Sequence, residues 1–294
     1  MPPETAIQPS GRHSEPHLTP SRGVGLDDVA FERIADLVRA EAGIKLSKSK
    51  SNLIVSRLGR RVKALNLKDF HSYLDFVSAQ SGQRERREML SLLTTNVTRF
   101  FREPHHFDTL RAEVLPPLIA KAKTGVPVRI WSAGCSIGAE PLSIAIEVVR
   151  LCPEALDLDI RILASDLDPT SLRTACEGVY ARSEFDRMPD SISSRYFETS
   201  GDGAMKRATA ELRNLITYAE LNLIGPWPME RAFDVIFCRN VVIYFDKATQ
   251  AELWPRFADA LSPGGMLFIG HSERLSGAGE ARFEPAGITQ YRRI

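Results

Sequence analysis

Between residues 26 and 93, apolar residues recur at intervals of three and four positions, a spacing typical of amphipathic helices. The predicted buried faces are Phe31, Ile34, Leu37 and Val38; Leu53, Ile54, Leu58, Val62 and Leu65; Phe70, Tyr73, Leu74 and Val77; and Met89, Leu90, Leu92 and Leu93. No alternating, strand-like pattern interrupts these faces. We therefore expect residues 26–93 to form a small helical domain.

After this segment the pattern changes to short continuous apolar runs separated by helical stretches. The runs are Val128–Ala133, Ile160–Ala164 and Phe233–Cys238. Runs of this length and composition are typical of buried parallel strands. Gly134 and Gly138 form a turn after the first run, and Glu140 and Pro141 then open a helix, where proline suits the first turn. The pattern predicts a Rossmann-like doubly wound α/β sheet over residues 128–294.

The remaining segments complete the expected domain organisation. Residues 1–25 contain five prolines and little apolar periodicity, so we expect a flexible leader. Residues 94–127 are expected to link the two domains and to contribute to a ligand site. Residues 178–220 break the α/β rhythm with short strand-like runs around a glycine turn, which predicts a small antiparallel insertion.

Composition excludes several classes of protein. The 294 residues carry a formal net charge of +1, and the four cysteines contain no Cys-x-x-Cys pair. A disulfide framework or a metal cluster is therefore not expected. No apolar run approaches the ~18 residues of a transmembrane helix. We expect a cytoplasmic protein without membrane insertion.

Charge is nevertheless uneven along the chain. Residues 42–68 contain eight basic residues and no acidic one. Arg57, Arg60, Arg61 and Lys63 lie together beside the second apolar face, which favours docking of an acidic partner. A solvated helix face is the ordinary alternative and stays open. No aromatic residues are interleaved with these charges, so a nucleic-acid surface is less favoured.

The turn after the first strand indicates the class of ligand. It lacks the Lys-Ser/Thr of a P-loop, and its glycine spacing differs from a dinucleotide fingerprint. Glu140 at the helix start would repel a pyrophosphate but suits a cationic ligand. Asp166 follows the second strand, where a carboxylate can bind ribose hydroxyls. Together these residues favour S-adenosylmethionine, a ribonucleoside with a sulfonium group and no phosphate.

Three motifs, taken together, identify a family. They are Thr94-Thr-Asn-Val-Thr-Arg-Phe-Phe-Arg-Glu103, Trp131-Ser-Ala-Gly-Cys-Ser-Ile-Gly-Ala-Glu-Pro-Leu-Ser-Ile-Ala145 and Phe237-Cys-Arg-Asn-Val-Val-Ile-Tyr-Phe-Asp246. With Ala164–Asp168, Leu221–Leu223 and Gly270–Glu273, they resemble the chemotaxis receptor methyltransferases, the CheR-type enzymes, over nearly the whole chain from about residue 28. The resemblance implies transfer of a methyl group from S-adenosylmethionine to receptor glutamates, with S-adenosylhomocysteine as product.

The resemblance also implies which residues act. Those expected to line the cofactor site are Asn96, Thr98, Arg102, Glu140, Asp166, Asn222, Leu223, Arg239 and Asn240. Arg102 and Tyr244 are the family's candidate catalytic pair. The glycine turn departs from the family pattern at Ile137, Ala139 and Leu142, where polar groups are lost.

The implied partners are the cytoplasmic helical bundle of chemoreceptors and, at the β insertion, a C-terminal receptor peptide. Recruitment to membrane-bound receptor arrays would follow. Two other functions remain to be distinguished: a nucleic-acid methyltransferase, and a catalytically silent module that senses cofactor.

Overall fold

The computed structural model describes residues 25–94 and 96–294; the predicted leader lies outside them except for Gly25. The first part is helical, as the apolar spacing predicts. Its helices are α1 Asp28–Ala42, α2 Ser51–Ala64, α3 Phe70–Ser78 and α4 Gln83–Leu93. Asp27 caps α1 by accepting a hydrogen bond from the Ala30 N–H at 2.8 Å. Asp69 and Ser72 form a capping box at the start of α3.

Each predicted apolar face turns toward the interior. Phe31, Ile34 and Val38 are buried on α1, and the four predicted residues of α3 are all buried. The residues at the margins of the faces are half-buried instead: Leu37, Leu53, Leu65 and Leu92. These helices therefore form by burying one stripe each, which is where most helical stability in proteins originates.

The rest of the chain forms an α/β sheet with its helices and a smaller sheet. The strands are β1 Val128–Ala133, β2 Ile160–Asp166, β3 Val179–Ala181, β4 Phe197–Thr199, β5 Met205–Ala208, β6 Ile216–Glu220, β7 Phe233–Cys238, β8 Leu261–Ile269, β9 Phe283–Gly287 and β10 Gln290–Arg293. The helices are α5 Pro104–Thr109, α6 Leu115–Lys123, α7 Ala139–Leu151, α8 Pro169–Glu177, α9 Asp190–Tyr196, α10 Ala210–Arg213 and α11 Lys247–Ala260. A π-helical turn, Leu110–Val114, joins α5 to α6.

Seven strands form the main sheet, in the order β6-β2-β1-β7-β8-β10-β9. The first five are parallel to one another, and β10 pairs antiparallel with β8 and with β9. The strand order reverses direction beside β1, at the switch point where doubly wound sheets bind ligands outside the carboxyl ends of their strands. The predicted fold class, a doubly wound sheet with a helical domain and a small antiparallel insertion, is confirmed.

The insertion is smaller than the sequence pattern suggested. Strands β3, β5 and β4 form a three-stranded antiparallel sheet with β5 at its centre. The run Ile216–Glu220, which the expected insertion of residues 178–220 included, instead pairs parallel with β2 as an edge of the main sheet. Strand β6 is only half-buried and lacks a continuous apolar run. Its own residues therefore do not indicate which strand it pairs with.

The helical part and the main sheet share one hydrophobic core. Buried residues of α1–α4 belong to the same cluster as Trp131, Ile236 and Leu267 on one face of the sheet. The segment after α1 reaches the far end of β7, where the Lys45 N–H donates to the Tyr244 carbonyl at 2.8 Å. The helices therefore lie against the carboxyl edge of the sheet and help to form the pocket there.

No helix among residues 25–94 and 96–294 combines the length and hydrophobicity needed to cross a membrane.

Candidate functional site

A pocket lies at the carboxyl edge of the main sheet, with an empty volume of about 980 Å³ that includes its opening to solvent. All nine residues predicted to bind the cofactor line it, and so does Tyr244. They reach it from the segment before α5, from the start of α7 and from the ends of β2, β6 and β7. Parallel strands bring these ends together although the residues are far apart in sequence.

Close backbone approach defines the pocket floor. Gly134 follows β1 with φ +82°, and a β-carbon there would lie 2.3 Å from Cγ2 of Val241. Glycine is therefore required where the loops after β1 and β7 meet. Ser136 and Asn240 also adopt positive φ values, 52° and 59°. Left-handed backbone at non-glycine residues is strained and clusters at functional sites.

Asp166 ends β2 with its carboxylate on the pocket wall. Oδ2 accepts a hydrogen bond from the Ser136 N–H at 2.7 Å, and Oδ1 accepts one from the Asp168 N–H at 2.9 Å. Burial raises the pKa of Asp166, and these backbone donors oppose the rise. A carboxylate has about four acceptor positions, so Asp166 retains capacity for ribose hydroxyls.

Glu140 and Arg239 form a buried ion pair at the base of the pocket. Arg239 Nε lies 3.0 Å from Glu140 Oε2, and Ser132 Oγ donates to Glu140 Oε1 at 2.7 Å. Both residues are less than a tenth exposed. Burial raises the pKa of Glu140 and lowers that of Arg239, and their mutual attraction opposes both shifts. The pair is a buried dipole that both residues' neighbours hold in place.

His106 supports the other side of Arg239. Arg239 Nη1 lies 3.2 Å from His106 Nδ1, and because guanidinium only donates, Nδ1 accepts. Nε2 then carries the proton and faces Thr289 Oγ1 at 2.9 Å. Burial, and next the charge of Arg239, lower the pKa of His106 to about 3. His106 is thus a neutral, fully buried residue that supports Arg239.

The segment before α5 carries Arg102 on a strained backbone. Phe101 and Glu103, on either side of it, have φ values of 50° and 56°. The Phe101 N–H donates to Ser143 Oγ on α7 at 3.0 Å. Phe100 is buried and packs on the aromatic rings of the insertion, including Phe185 at 5.2 Å between ring centroids. Phe100 by its packing and Phe101 by its backbone bond therefore anchor the segment.

Arg102 and Glu103 point to different partners. Arg102 Nη1 donates to the Val97 carbonyl at 2.8 Å, which holds the guanidinium beside the pocket. Glu103 Oε1 lies 2.9 Å from His271 Nδ1. Burial acts to raise the pKa of Glu103, but the His271 contact and the charge of Arg239 bring it below its ordinary value. The His271 contact therefore joins the loop after β8 to the segment before α5.

Two of the expected cofactor residues use their side chains to hold the walls. Asn96 Nδ2 donates to Asp168 Oδ2 at 2.7 Å and to Ser171 Oγ at 2.8 Å. Asn222 Nδ2 donates to the Glu41 carbonyl at 2.7 Å, near the end of α1. In this conformation both amides tie loops together, and their remaining surfaces line the pocket.

The helical part contributes pocket residues that the sequence did not single out as ligand-binding: Ala42, Ile44 and Lys50. Lys50 Nζ lies 5.4 Å from the centroid of the Tyr244 ring, within cation–π range. Lys50 was recognised only as one of the eight basic residues. No motif marks these positions, because a helix terminus becomes a pocket wall only through packing.

The four predicted docking residues divide into two pairs. Arg57 Nη1 donates to the carbonyls of Leu92 and Thr94, at 2.6 and 2.8 Å, and so closes the end of α4. Arg61 makes a bidentate bond to the buried Glu85 at 2.9 and 2.6 Å. Arg60 and Lys63 are exposed. Half of the predicted basic face is therefore engaged inside the helical part.

The departures from the family pattern in the glycine turn lie away from the pocket. Ala139 and Leu142 belong to the first turn of α7 and are buried in the core. The Ile137 carbonyl accepts a hydrogen bond from Tyr180 Oη at 2.8 Å. The residues of this turn that line the pocket are Gly134, Ser136 and Glu140. Loss of polar groups at positions 137, 139 and 142 thus changes packing rather than the pocket surface.

The pocket suits S-adenosylmethionine by its chemistry. Glu140 stands at the start of α7, the position where a phosphate would otherwise bind, and Asp166 adds a second carboxylate. Asn240 Oδ1 is buried without a hydrogen-bond partner among the described residues, and it lines the same pocket. It offers an acceptor for a donor such as an amino group. These three side chains can accept hydrogen bonds from hydroxyl and amino donors of a ligand.

Comparison with known proteins follows the same division of the chain. Residues 96–292 match the family described as CheR methyltransferase, SAM binding domain, and residues 30–94 match CheR methyltransferase, all-alpha domain. A probable chemotaxis protein methyltransferase of Rhizobium etli is 48% identical over 258 residues, 87% of this chain and 96% of the relative. The chemotaxis protein methyltransferases of Salmonella typhimurium and Escherichia coli are each 38% identical, with 92% and 91% of this chain covered and 92% of each relative.

The fold and the matched SAM-binding domain are those of an S-adenosylmethionine-dependent methyltransferase. With matches of this extent, the chain belongs to the CheR family of chemotaxis methyltransferases. The resemblance inferred from its motifs is confirmed.

Proposed function

We propose that the protein transfers the methyl group of S-adenosylmethionine to glutamate side chains of chemoreceptors, giving glutamyl methyl esters. The main support for this proposal is that Arg102 and Tyr244 line the same pocket as the carboxylates Glu140 and Asp166. A basic and a phenolic group beside a cofactor pocket suit a carboxylate acceptor. The names of the relatives support a role in chemotaxis.

The reaction needs position more than proton transfer. A glutamate has a reference pKa of about 4.3 and is already an anionic nucleophile near neutral pH. Bound S-adenosylmethionine supplies an activated methyl group on a sulfonium. The pocket residues must hold the carboxylate oxygen in line with that methyl group, and such alignment is a large source of catalysis.

Arg102 and Tyr244 would share the task of orienting the substrate. Charge is lost when an anion and a sulfonium become two neutral products, so tight neutralisation of the carboxylate would favour the ground state. The Arg102 guanidinium donates one hydrogen bond to the Val97 carbonyl, and this bond fixes the orientation of the guanidinium. We assign Arg102 to orientation of one carboxylate oxygen and the Tyr244 hydroxyl to a weaker hold on the other.

The receptor would meet two surfaces. Arg60 and Lys63 on α2 suit the acidic faces of a cytoplasmic helical bundle, and their exposure supports this role. The edge strands β3 and β4 of the insertion suit a receptor C-terminal peptide, because an extended peptide binds by adding a strand to a sheet edge. These contacts would recruit the enzyme from the cytoplasm to receptor arrays.

The deciding experiment supplies S-adenosylmethionine labelled in its methyl group together with receptor cytoplasmic fragments. We expect protein-bound label that mild alkali releases, since glutamyl methyl esters hydrolyse readily. Label on RNA or DNA, with salt-sensitive binding, would instead identify a nucleic-acid methyltransferase. Tight cofactor binding with no product on any fragment would identify a silent sensing module.

Substitution of Tyr244 by Phe tests the proposed orientation. The ring and its packing remain and the hydroxyl is lost, so we expect kcat to fall about thirtyfold, the equivalent of roughly 2 kcal/mol, with little change in cofactor Kd. Single-turnover labelling of a receptor fragment measures this. Arg102→Lys, which keeps the charge but loses the planar fork, should also slow transfer. A wild-type rate for Tyr244→Phe would leave orientation to Arg102 alone.

A further inference from the structure

A single carboxylate organises the turn that carries Asn240 and Tyr244. Glu273 is 4% exposed and lies just after β8. Its Oε1 accepts hydrogen bonds from the N–H groups of Val241, Val242 and Ile243 at 3.0, 2.7 and 3.2 Å. Its Oε2 accepts from Asn240 at 3.1 Å and from Gly270 at 2.5 Å. Five backbone donors from two loops therefore converge on one side chain.

This convergence explains how a strained turn is maintained. Four consecutive N–H groups, from Asn240 to Ile243, can point at one acceptor only if the chain curls tightly around it. Asn240 takes the left-handed conformation in this curl, at φ 59°. Such strain persists only where surrounding contacts over-determine it. Glu273 supplies those contacts. Burial raises the pKa of its carboxyl group, and the backbone N–H donors oppose the rise because they favour the ionised form.

Gly270 closes the turn from the opposite side. A β-carbon at residue 270 would lie 2.5 Å from Asn240 Nδ2 and 2.7 Å from Asn240 N. The Gly270 N–H also bonds Glu273. The loop after β8 thus holds the loop after β7 by two means: the Glu273 carboxylate attracts its N–H groups, and Gly270 lets the backbones touch.

We propose that Glu273 is a positioning residue for the transfer reaction: by gathering the Asn240–Ile243 N–H groups it sets Asn240 against the cofactor and Tyr244 against the substrate carboxylate. The placement of Tyr244 against a substrate carboxylate rests on the proposed function. The placement of Asn240 against the cofactor does not. Asn240 and Tyr244 both line the pocket, whereas Glu273 acts from behind them. A displacement of about 1 Å in such groups costs on the order of a hundredfold in rate.

The test uses Glu273→Gln in the full-length protein, a change that keeps shape but removes charge and turns an NH₂ group toward backbone donors. We expect the single-turnover rate with a receptor fragment to fall on the order of a hundredfold. We also expect a weaker calorimetric affinity for S-adenosylhomocysteine. A merely structural residue would lower the melting temperature and leave both quantities unchanged at temperatures where the variant is folded.

Double-mutant cycles show whether Glu273 acts through the turn. In a Tyr244→Phe background, Glu273→Gln should cost much less in transfer rate than it does alone. In an Asn240→Gly background, which tolerates φ 59°, it should cost much less in S-adenosylhomocysteine affinity. In a Lys123→Ala background, at an exposed residue of α6 outside the pocket and the α2 face, the rate cost should be additive. Additive costs in the first two backgrounds would overturn the proposal.

A second variant and a second measurement cover the cases in which Glu273→Gln does not fold or the receptor is not the substrate. If Glu273→Gln does not fold, Gly270→Ala disturbs the same turn from the other side while Glu273 keeps its charge, and it should give the same two losses. If the wild-type protein transfers no label to receptor fragments, the proposed substrate is wrong. The double-mutant cycle of Glu273→Gln with Asn240→Gly, measured by S-adenosylhomocysteine affinity, would then still test the role of Glu273. Wild-type affinity and rate for a folded Glu273→Gln or Gly270→Ala variant would refute the positioning role.

Discussion

The charged groups of the pocket and those of the α2 face are chemically alike but differ in their surroundings. In the pocket, Arg239 and Glu140 are buried against each other, and neighbouring groups hold both in one arrangement. On α2, Arg60 and Lys63 extend into solvent, where ion pairs contribute little and salt screens them. Burial, rather than residue type, therefore decides whether a charge shapes a site or attracts a partner at a distance.

Arg61 lies between these extremes and makes the comparison sharper. It sits one residue from Arg60 on the same helix, yet it bonds Glu85, which is 7% exposed. Glu85 raises the pKa of Arg61, and Tyr73 Oη also bonds this carboxylate at 3.0 Å. Neighbours in sequence thus belong to different regions: Arg61 to the interior of the helical part, and Arg60 to its surface.

The largest effect is expected for Glu140→Ala, which leaves Arg239 buried without its partner. We expect a loss of about 3–5 kcal/mol in the free energy of unfolding, measured by urea denaturation without cofactor. Ser132→Ala is the matched control, since it removes only the hydroxyl bond to Glu140. Equal losses for the two variants would mean that burial of Arg239 does not require the Glu140 charge. The buried pair would then contribute no more to stability than the exposed charges of α2.

The next effect concerns cofactor binding by Asp166. Asp166→Ala should weaken S-adenosylmethionine binding by roughly 1.5–3 kcal/mol for each charge-assisted hydrogen bond lost, with one or two such bonds expected. Calorimetry measures the affinity, and circular dichroism checks that the variant is folded, because Asp166 also holds the Ser136 N–H. An unchanged affinity in the folded variant would exclude a role in holding the ribose.

Arg61→Glu tests the interior half of the basic face. It removes a bidentate bond and sets two carboxylates beside each other near Tyr73, so we expect a loss of about 2 kcal/mol in unfolding free energy. The partial exposure of Arg61 keeps this below the loss for Glu140→Ala. Urea denaturation of Arg61→Glu beside Arg60→Glu measures the difference. Equal stability of the two variants would place Arg61 on the surface with its neighbour.

The smallest effect on the protein itself is expected for Arg60→Glu combined with Lys63→Glu. Exposed substitutions of this kind usually change stability by less than about 0.5 kcal/mol. If these residues dock the receptor, its apparent KM should rise and the cofactor Kd should stay constant. Added salt should raise the wild-type KM in the same way, because the Debye length is only ~8 Å at physiological ionic strength. Methylation insensitive to both changes would leave a solvated face.

The sequence by itself determined the local structure and indicated the part of the pocket lining that its motifs supply. Apolar spacing predicted the buried faces of α1–α4, and continuous apolar runs matched β1 and β7 residue for residue. Motif residues at the strand ends came together because parallel strands end at a common edge. These features are encoded within a few neighbouring residues, and periodicity records burial directly.

Only the tertiary structure decided which charges are paired and which segments meet. Arg57 and Arg61 turn inward while Arg60 and Lys63 face solvent, although all four are basic residues of one helix. Strand β6 joins the main sheet, Lys50 reaches Tyr244, and Glu273 gathers the turn after β7. Each of these contacts depends on the distance between groups far apart along the chain. Such distances are set by packing of the whole core, which no local pattern records.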